Sequence, residues 1–498
     1  MGISAAVPES NRARTVGIST SPGSKNNDQV VFLPQRVAVF GQGSTGSSYS
    51  STKAQYTSAR EVGSTYGYGS PLHLAAMQLL PENRDGIGAI PMTIYPMQAA
   101  ASSVAAVGSI SAVGTQTVSG AYYVEVNEIR SESFVISAGE LGTALDARIA
   151  QAVNAIIEMP MTATSGSNTA TLTAKWKGTS SNGLKIKVVG PSNGITFAIT
   201  QPAGGLINPD ISPALAQMGD VWESMLLNCF EISDTTTLDK IQAHGDGRWG
   251  ALTRKPYVCF TGNTIANRTL ACAVSAVRKY DKINGQLPAP GSLDLPFVVA
   301  ARQLARIVAM ANSNPPHDYG SLQATGIAPG LDSEQWDYTA RDAAIKDGSS
   351  SVESRDGIIF IKDVVTFYHP DANPNPEFRY VVDIVKIQNV LYNLDRRFNN
   401  AEWDGAPLMK DGEYTTNRTA KFPRTAKIEA ADMCTQLGLQ AILTDVKATN
   451  ATIQASVNDQ NPKRLDMVLP ITLVGNANIF SIDLLFSFYF GQAQLLDQ

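Results

Sequence analysis

Twelve residues near the end of the chain, IFSIDLLFSFYF at 479–490, alternate with strict period two. Phe480, Ile482, Leu484, Phe486, Phe488 and Phe490 face one way, and Ser481, Asp483, Leu485, Ser487 and Tyr489 the other. At about 3.3 Å per residue such a strand reaches roughly 40 Å, against the five or six residues of an ordinary one. A strand of that length at a chain end needs partners along all of it, and a second subunit can supply them. The other end poses a related problem. Residues 1–35 are polar and broken by Pro8, Pro22 and Pro34, too poor in apolar surface to fold alone, so they read as an arm that is disordered or orders against something else.

Between these ends the 498 residues exceed one ordinary core, and two to four domains are expected. With 43% hydrophobic and 17% charged residues and a net charge of −5, the chain reads as a mildly acidic globular protein, not one built to hold a polyanion, so nucleic acid is not an expected partner. No stretch approaches the roughly 20 apolar residues that cross a bilayer, and no membrane insertion is expected. Cys229, Cys259, Cys272 and Cys434 form no C-x-x-C pair and lie mostly in apolar runs, which points to buried free thiols and a reducing compartment.

The order of patterns gives the layout. Residues 36–97 read as a strand (QRVAVFG), a Ser-rich loop, a helix over Pro71–Leu80 and a strand in GAIPMTIYPM. From 98 to 208, short alternating runs (YYVEV, SFVIS, ATLTAKW, LKIKVV, ITFAIT) surround one amphipathic helix, LGTALDARIAQAVNAII, and imply a separate strand-rich insert. The α/β pattern resumes with a helix in ALAQMGDVWESMLL, strand NCFEI, helix TTLDKIQAHGDGRW, strand KPYVCFTG and helix ANRTLACAVSAVRKY. That alternation implies βαβ units and a mainly parallel sheet flanked by helices. The apolar helix LPFVVAARQLARIVAMA follows, then a Gly/Pro-rich loop, and GIIFIKDVVTFYH reads as a hairpin or a strand pair. In the next long helix Ile384, Ile387, Val390, Leu391, Leu394 and Phe398 share a face, while Lys386, Arg396 and Arg397 form a basic set suited either to solvent or to an acidic partner surface.

Chemical motifs are few. Gly41, Gly43 and Gly46 in VAVFGQGSTG carry the G-x-G-x-x-G spacing of a pyrophosphate loop. A dinucleotide fold also needs a helix directly after the glycines and an acid about 20 residues on. SSYSSTKAQYTS has no apolar helical stripe, and Glu61 has the distance without a strand leading to it. The stretch is therefore expected to be a core strand and a turn whose glycines supply permissive backbone angles, with no cofactor. The four histidines, His73, His244, His317 and His369, lack the i, i+4 spacing of a helical zinc pair, and no G-x-S-x-G elbow is present. A serine hydrolase on the α/β core, with His244 as base, is the rival reading, and a monomeric binding protein a third. Asp332, Glu334 and Asp337 lack EF-hand spacing and read as loop charges. No metal site is expected.

Collinear segments carry a further signal. QRVAVFGQGSTG, then WESMLLNCFEI with DGRWGA and KPYVCFTG, then DGIIFIKDVVTFYH with its long helix, and finally NPKRLDMVLPITLVGNANIFSIDLLFSFYF span nearly the whole chain. In that order they resemble the contractile tail sheath proteins of bacteriophages, particularly the Mu-like branch. The resemblance implies a non-enzymatic virion structural protein, assembled in the host cytoplasm into the tail. Its α/β core would be 36–97 plus 209–370, its outward-facing β-rich insert 98–208, and its α+β tube-proximal C-terminal domain 371–498. It further implies stacked hexameric rings in a helical homopolymer around a tail tube, with baseplate and tail terminator proteins as further partners. Terminal arms would exchange strands between subunits, the 479–490 run among them, and Lys386, Arg396 and Arg397 would meet the tube.

Overall fold

The computed structural model describes residues 29–371, 377–484 and 486. By internal contacts the chain divides into two units. The larger comprises Phe32–Tyr392, Gln440–Thr444 and the residues from Ile471 onward; the smaller comprises residues 29–31, Asn393–Leu439 and Asp445–Pro470.

A six-stranded sheet organises the larger unit. Its order is Asn284–Pro288, Val258–Asn263, Met225–Asn228, Val37–Gln42, Met92–Met97 and Ala54–Tyr56. All neighbours are parallel except the Ala54–Tyr56 edge, which runs antiparallel to Met92–Met97. Val37–Gln42 is central, aligned with Met225 on one side and Met92 on the other at Val37, and is buried throughout. A strand covered on both faces must be apolar continuously, and VAVF is. Pro71–Leu79 starts on Ser70, whose hydroxyl accepts from the His73 amide, with Pro71 in the first turn where no N–H is required. The 18-residue helix Pro296–Ser313 buries Val299, Ala300, Leu304, Ile307 and Val308.

Two antiparallel four-stranded sheets lie between Val107 and Ala203, with the helix Asp146–Asn154 among them. Val104 and Leu206 form an antiparallel bridge where the chain enters and leaves this region, each N–H donating to the other's carbonyl at 3.1 Å. Trp176, fully buried, meets Phe297 edge-on with ring centroids 6.2 Å apart.

Three local expectations need correction. MGDVWESMLL is not helical: a helix covers only Ser212–Ala216, and Met225–Asn228 is the strand. Its four residues are wholly buried between two parallel neighbours, and a short apolar run of that kind has no periodicity to separate strand from helix. The segment after Asn267 forms only the helical turn Arg268–Ala271 and a 3-10 turn at Ser275–Val277. The hairpin pairs Ser351–Arg355 with Ile358–Asp363, so its first strand precedes the GIIFIKD run. Its two-residue loop, Asp356 and Gly357, has φ of +51° and +75°, the left-handed pair that matches strand twist.

The smaller unit holds the helices Pro423–Leu439 and Val446–Thr452 and the hairpin Gln454–Val457 with Leu465–Val468. Trp403 is its aromatic fixture: the indole N–H donates to Glu429 at 2.7 Å, Phe398 packs on its edge at 5.4 Å, and the Lys421 ammonium lies 5.0 Å from its ring.

Candidate functional site

Every group a phosphate would need in the glycine loop is already engaged. The Gly43 N–H donates to the Tyr49 hydroxyl at 3.0 Å, Ser44 N–H to Tyr66 O at 2.7 Å, Thr45 N–H to Lys175 O at 2.7 Å and Ser47 N–H to Ser44 O at 3.0 Å. No helix follows; the next element is the strand Ala54–Tyr56. Nor do the glycines supply positive φ, since none of the three has it. Gly41 and Gly43 answer to close packing instead. A Cβ on Gly41 would stand 3.1 Å from both Cys229 Cβ and Leu72 Cδ2, and one on Gly43 would stand 2.7 Å from Tyr66 O and overlap the Tyr49 ring. Around Gly46 the nearest atom is 4.0 Å away. The expected turn of permissive angles is thus a packing constraint at two positions and none at the third.

The histidine rings have other partners than serine. His73 Nδ1 accepts from the Gly69 N–H at 3.1 Å, and burial, helped by Lys175, pushes its pKa down to about 4. His244 Nδ1 meets the Tyr257 hydroxyl at 2.9 Å, and burial followed by Arg248 lowers it. His317 faces Asp318 O, and His369 sits between Phe367 O and Ala276 O. The four cysteines are buried free thiols, and burial raises Cys272 and Cys434 to about 11. Asp337 accepts from the Ala340 N–H to cap a helix, and Glu334 accepts from the Leu331 N–H. Among the described residues no group of acids, histidines and cysteines is placed to hold a metal, and no helix is long and apolar enough to cross a membrane.

The basic set on the Val381–Phe398 helix is divided by its surroundings. Lys386 is fully buried, its ammonium donating to Asp383 Oδ1 at 2.9 Å, Val474 O at 2.6 Å and Asn476 Oδ1 at 2.6 Å. It offers no charge to an outside surface in this conformation. Arg397 pairs with Asp432 at 2.9 Å, and Arg396 is exposed beside a recess that Arg397, Asn393, Val30 and Met433 also line.

That helix also carries a feature the apolar stripe did not reveal. Its buried face includes Gln388, Asn389 and Asn393, while Ile387, Leu391 and Leu394 are only half-buried. Asn389 Oδ1 accepts from the Leu33 N–H at 2.8 Å; Asn393 Oδ1 accepts from the Val31 N–H at 3.1 Å while its amide donates back to Val31 O at 2.9 Å. Val30 N–H donates to Gln436 Oε1, and Gln35 N–H to Asn312 Oδ1. Val31, Leu33 and Gln35, at alternate positions, and Val30 beside them are thereby held by side-chain amides that imitate a neighbouring strand. Two asparagines spaced i, i+4 on one face of the helix, Asn389 and Asn393, are the sequence signal for it.

At the other end, Ile479–Leu484 takes no helix or strand, and Ile479, Phe480, Ile482, Leu484 and Phe486 are exposed, Phe480 by 78% and Ile482 by 82%. Phe488 and Phe490 lie outside the described residues. A soluble domain does not ordinarily leave such a contiguous apolar run uncovered.

No protein-family model matches the chain. The Mu-like prophage FluMu tail sheath protein of Haemophilus influenzae is 22% identical over 448 residues, covering 88% of this chain and 89% of that protein. Among solved structures, a sheath tail protein of Listeria innocua aligns over 90% of this chain and 94% of its own, at 11% identity and a TM-score of 0.47. The sheath complex of an extracellular contractile injection system in its contracted state aligns over 96% and 99%, at 9% identity and 0.47. The sequence relationship is the one that bears on function. It runs nearly from end to end, and the protein it leads to is the tail sheath protein of a Mu-like prophage, to which this chain is similar over 88% of its length.

Proposed function

We propose that the chain is a tail sheath subunit that polymerises as stacked hexameric rings around a tail tube and contracts to drive the tube through a host envelope. The near full-length relationship to a Mu-like tail sheath protein carries this reading. The exposed apolar run at Ile479–Leu484 supports it, because a surface of that kind calls for a neighbour. Strand addition by Phe480, Ile482, Leu484, Phe486, Phe488 and Phe490 would supply main-chain affinity, with the apolar face setting register. Residues 1–35 would form the second arm, 36–97 plus 209–370 the core, 98–208 an outward insert and 371–498 the tube-proximal part. Tube contact falls to Arg396 and Arg397, with Lys386 serving inside the fold. Baseplate and terminator proteins would close the two ends, in a virion tail assembled in the host cytoplasm. Work would come from the difference in inter-subunit packing between extended and contracted lattices, without nucleotide.

Electron microscopy of the purified full chain tests this directly. Regular tubes with sixfold rings are the expected outcome. A single monomeric species at every concentration would overturn the sheath reading, and specific labelling by a reactive-serine probe would revive the hydrolase.

A further inference from the structure

The segment before the exposed run is held by very little apolar contact. Thr472 and Leu473 pair with Leu443 and Thr444 in a ladder of two residue pairs, extended by the Val474 N–H donating to Ile442 O at 3.1 Å. Side chains from Ile471 to Asn478 are half-buried or exposed. Against this weak backdrop stands one buried charge. A lysine ammonium has three donors and no acceptor, and it survives without water only if all three are matched. Lys386 meets that condition with Asp383, Val474 O and Asn476 Oδ1, so two of its three acceptors belong to the segment itself. Asn476 is fixed from its other side too, since its amide donates to Pro316 O at 2.8 Å. Hydrogen bonds to an ionised donor are the strong kind, and these end on the interior of a long helix.

We propose that Lys386 is the anchor of the C-terminal extension. It fixes the point at which the chain leaves the folded unit and transmits any pull on residues beyond Asn478 to the Val381–Phe398 helix, without unzipping the short ladder at Leu443–Thr444. This assignment concerns the isolated subunit and stands whether or not the chain polymerises. It also gives a chemical reason for the burial of a lysine side chain in this fold.

Amide hydrogen exchange on the full chain tests it, comparing wild type, Lys386→Met, Asn476→Ala and the double variant. Each single variant is expected to speed exchange at residues 472–476 by roughly tenfold to a hundredfold, as for loss of a hydrogen bond to a charged group. Val37–Gln42 should keep wild-type protection. Asn476→Ala should have a smaller effect in the Lys386→Met background than alone, because its main partner is already gone. Unchanged exchange at 472–476 in both single variants, or strictly additive effects, would overturn the anchor. If Lys386→Met also loses protection at Val37–Gln42, the fold as a whole has failed, and Asn476→Ala, at a half-buried position, decides alone.

Discussion

Gly43 and Gly46 stand three residues apart in the same loop and have opposite tolerance for a methyl group. Gly43→Ala places a Cβ 2.7 Å from a backbone carbonyl that cannot swing away, and is expected to cost about 1–3 kcal/mol in urea unfolding, whereas Gly46→Ala should stay within about 0.5 kcal/mol. Equal effects would mean that the loop is held differently. Asp294 supplies a pH-dependent case. Burial pushes its carboxyl up to about 6, with Glu128 adding to the rise and the Ala328 N–H and Arg84 opposing it. A folded pKa above the unfolded value near 3.9 means that the folded state holds the proton more tightly, so the group's contribution is intact below about pH 4 and is lost as pH rises through about 6. Asp294→Asn should therefore gain about 1–3 kcal/mol over wild type at pH 7.5, and the gap should close on acidification to pH 4 in parallel urea titrations. At this scale the sequence was only partly legible. The glycines announced an unusual loop, but the reason for them lies in Tyr49 and Tyr66, which only the folded chain brings alongside.

Long periodic helices were the most legible elements. Pro71–Leu79, Thr235–Arg248 and Pro296–Ser313 follow directly from their patterns, as do the strands Val258–Asn263 and Met92–Met97. The failures share a cause: Met225–Asn228 is short and buried on every side, so its helical or extended state is decided by the parallel strands beside it. The Val381–Phe398 helix was placed correctly, yet its buried face was misjudged, because Asn389 and Asn393 bury only in exchange for the N–H groups of a segment over 350 residues away. Asn389→Ala leaves the Leu33 N–H without its partner inside the fold and should cost about 1–3 kcal/mol. Asn399→Ala, on the exposed end of the same region, should be close to neutral in the same unfolding assay.

For the molecule as a whole, collinear resemblance was more informative than any motif, since the relationship is spread thinly over 88% of the chain. The sequence makes the apolar run at 479–484 legible, but not what surrounds it, because surroundings are set by contacts that a single chain's pattern does not spell out. Phe480→Asp and Ile482→Asp should leave the thermal midpoint of the subunit nearly unchanged, because both side chains already face solvent, while abolishing tubes in the electron microscope. A variant that still forms tubes would remove this run from the assembly contact; one that melts early would show that the run packs at home.

The asparagine grip on residues 30–35 carries a consequence for how freely that stretch can be rewritten. The side-chain amides recognise peptide groups, so at Val30 and Val31 the spelling is constrained chiefly by a nitrogen that must keep its hydrogen; Leu33 and Gln35 also donate but are buried, with Gln35 Oε1 accepting from the Ser224 hydroxyl, and Pro34 occupies a position from which no N–H is asked. Moving that imino acid one place in either direction should forfeit a clasp, while exchanging the exposed Val31 side chain for another that keeps its N–H should be tolerated.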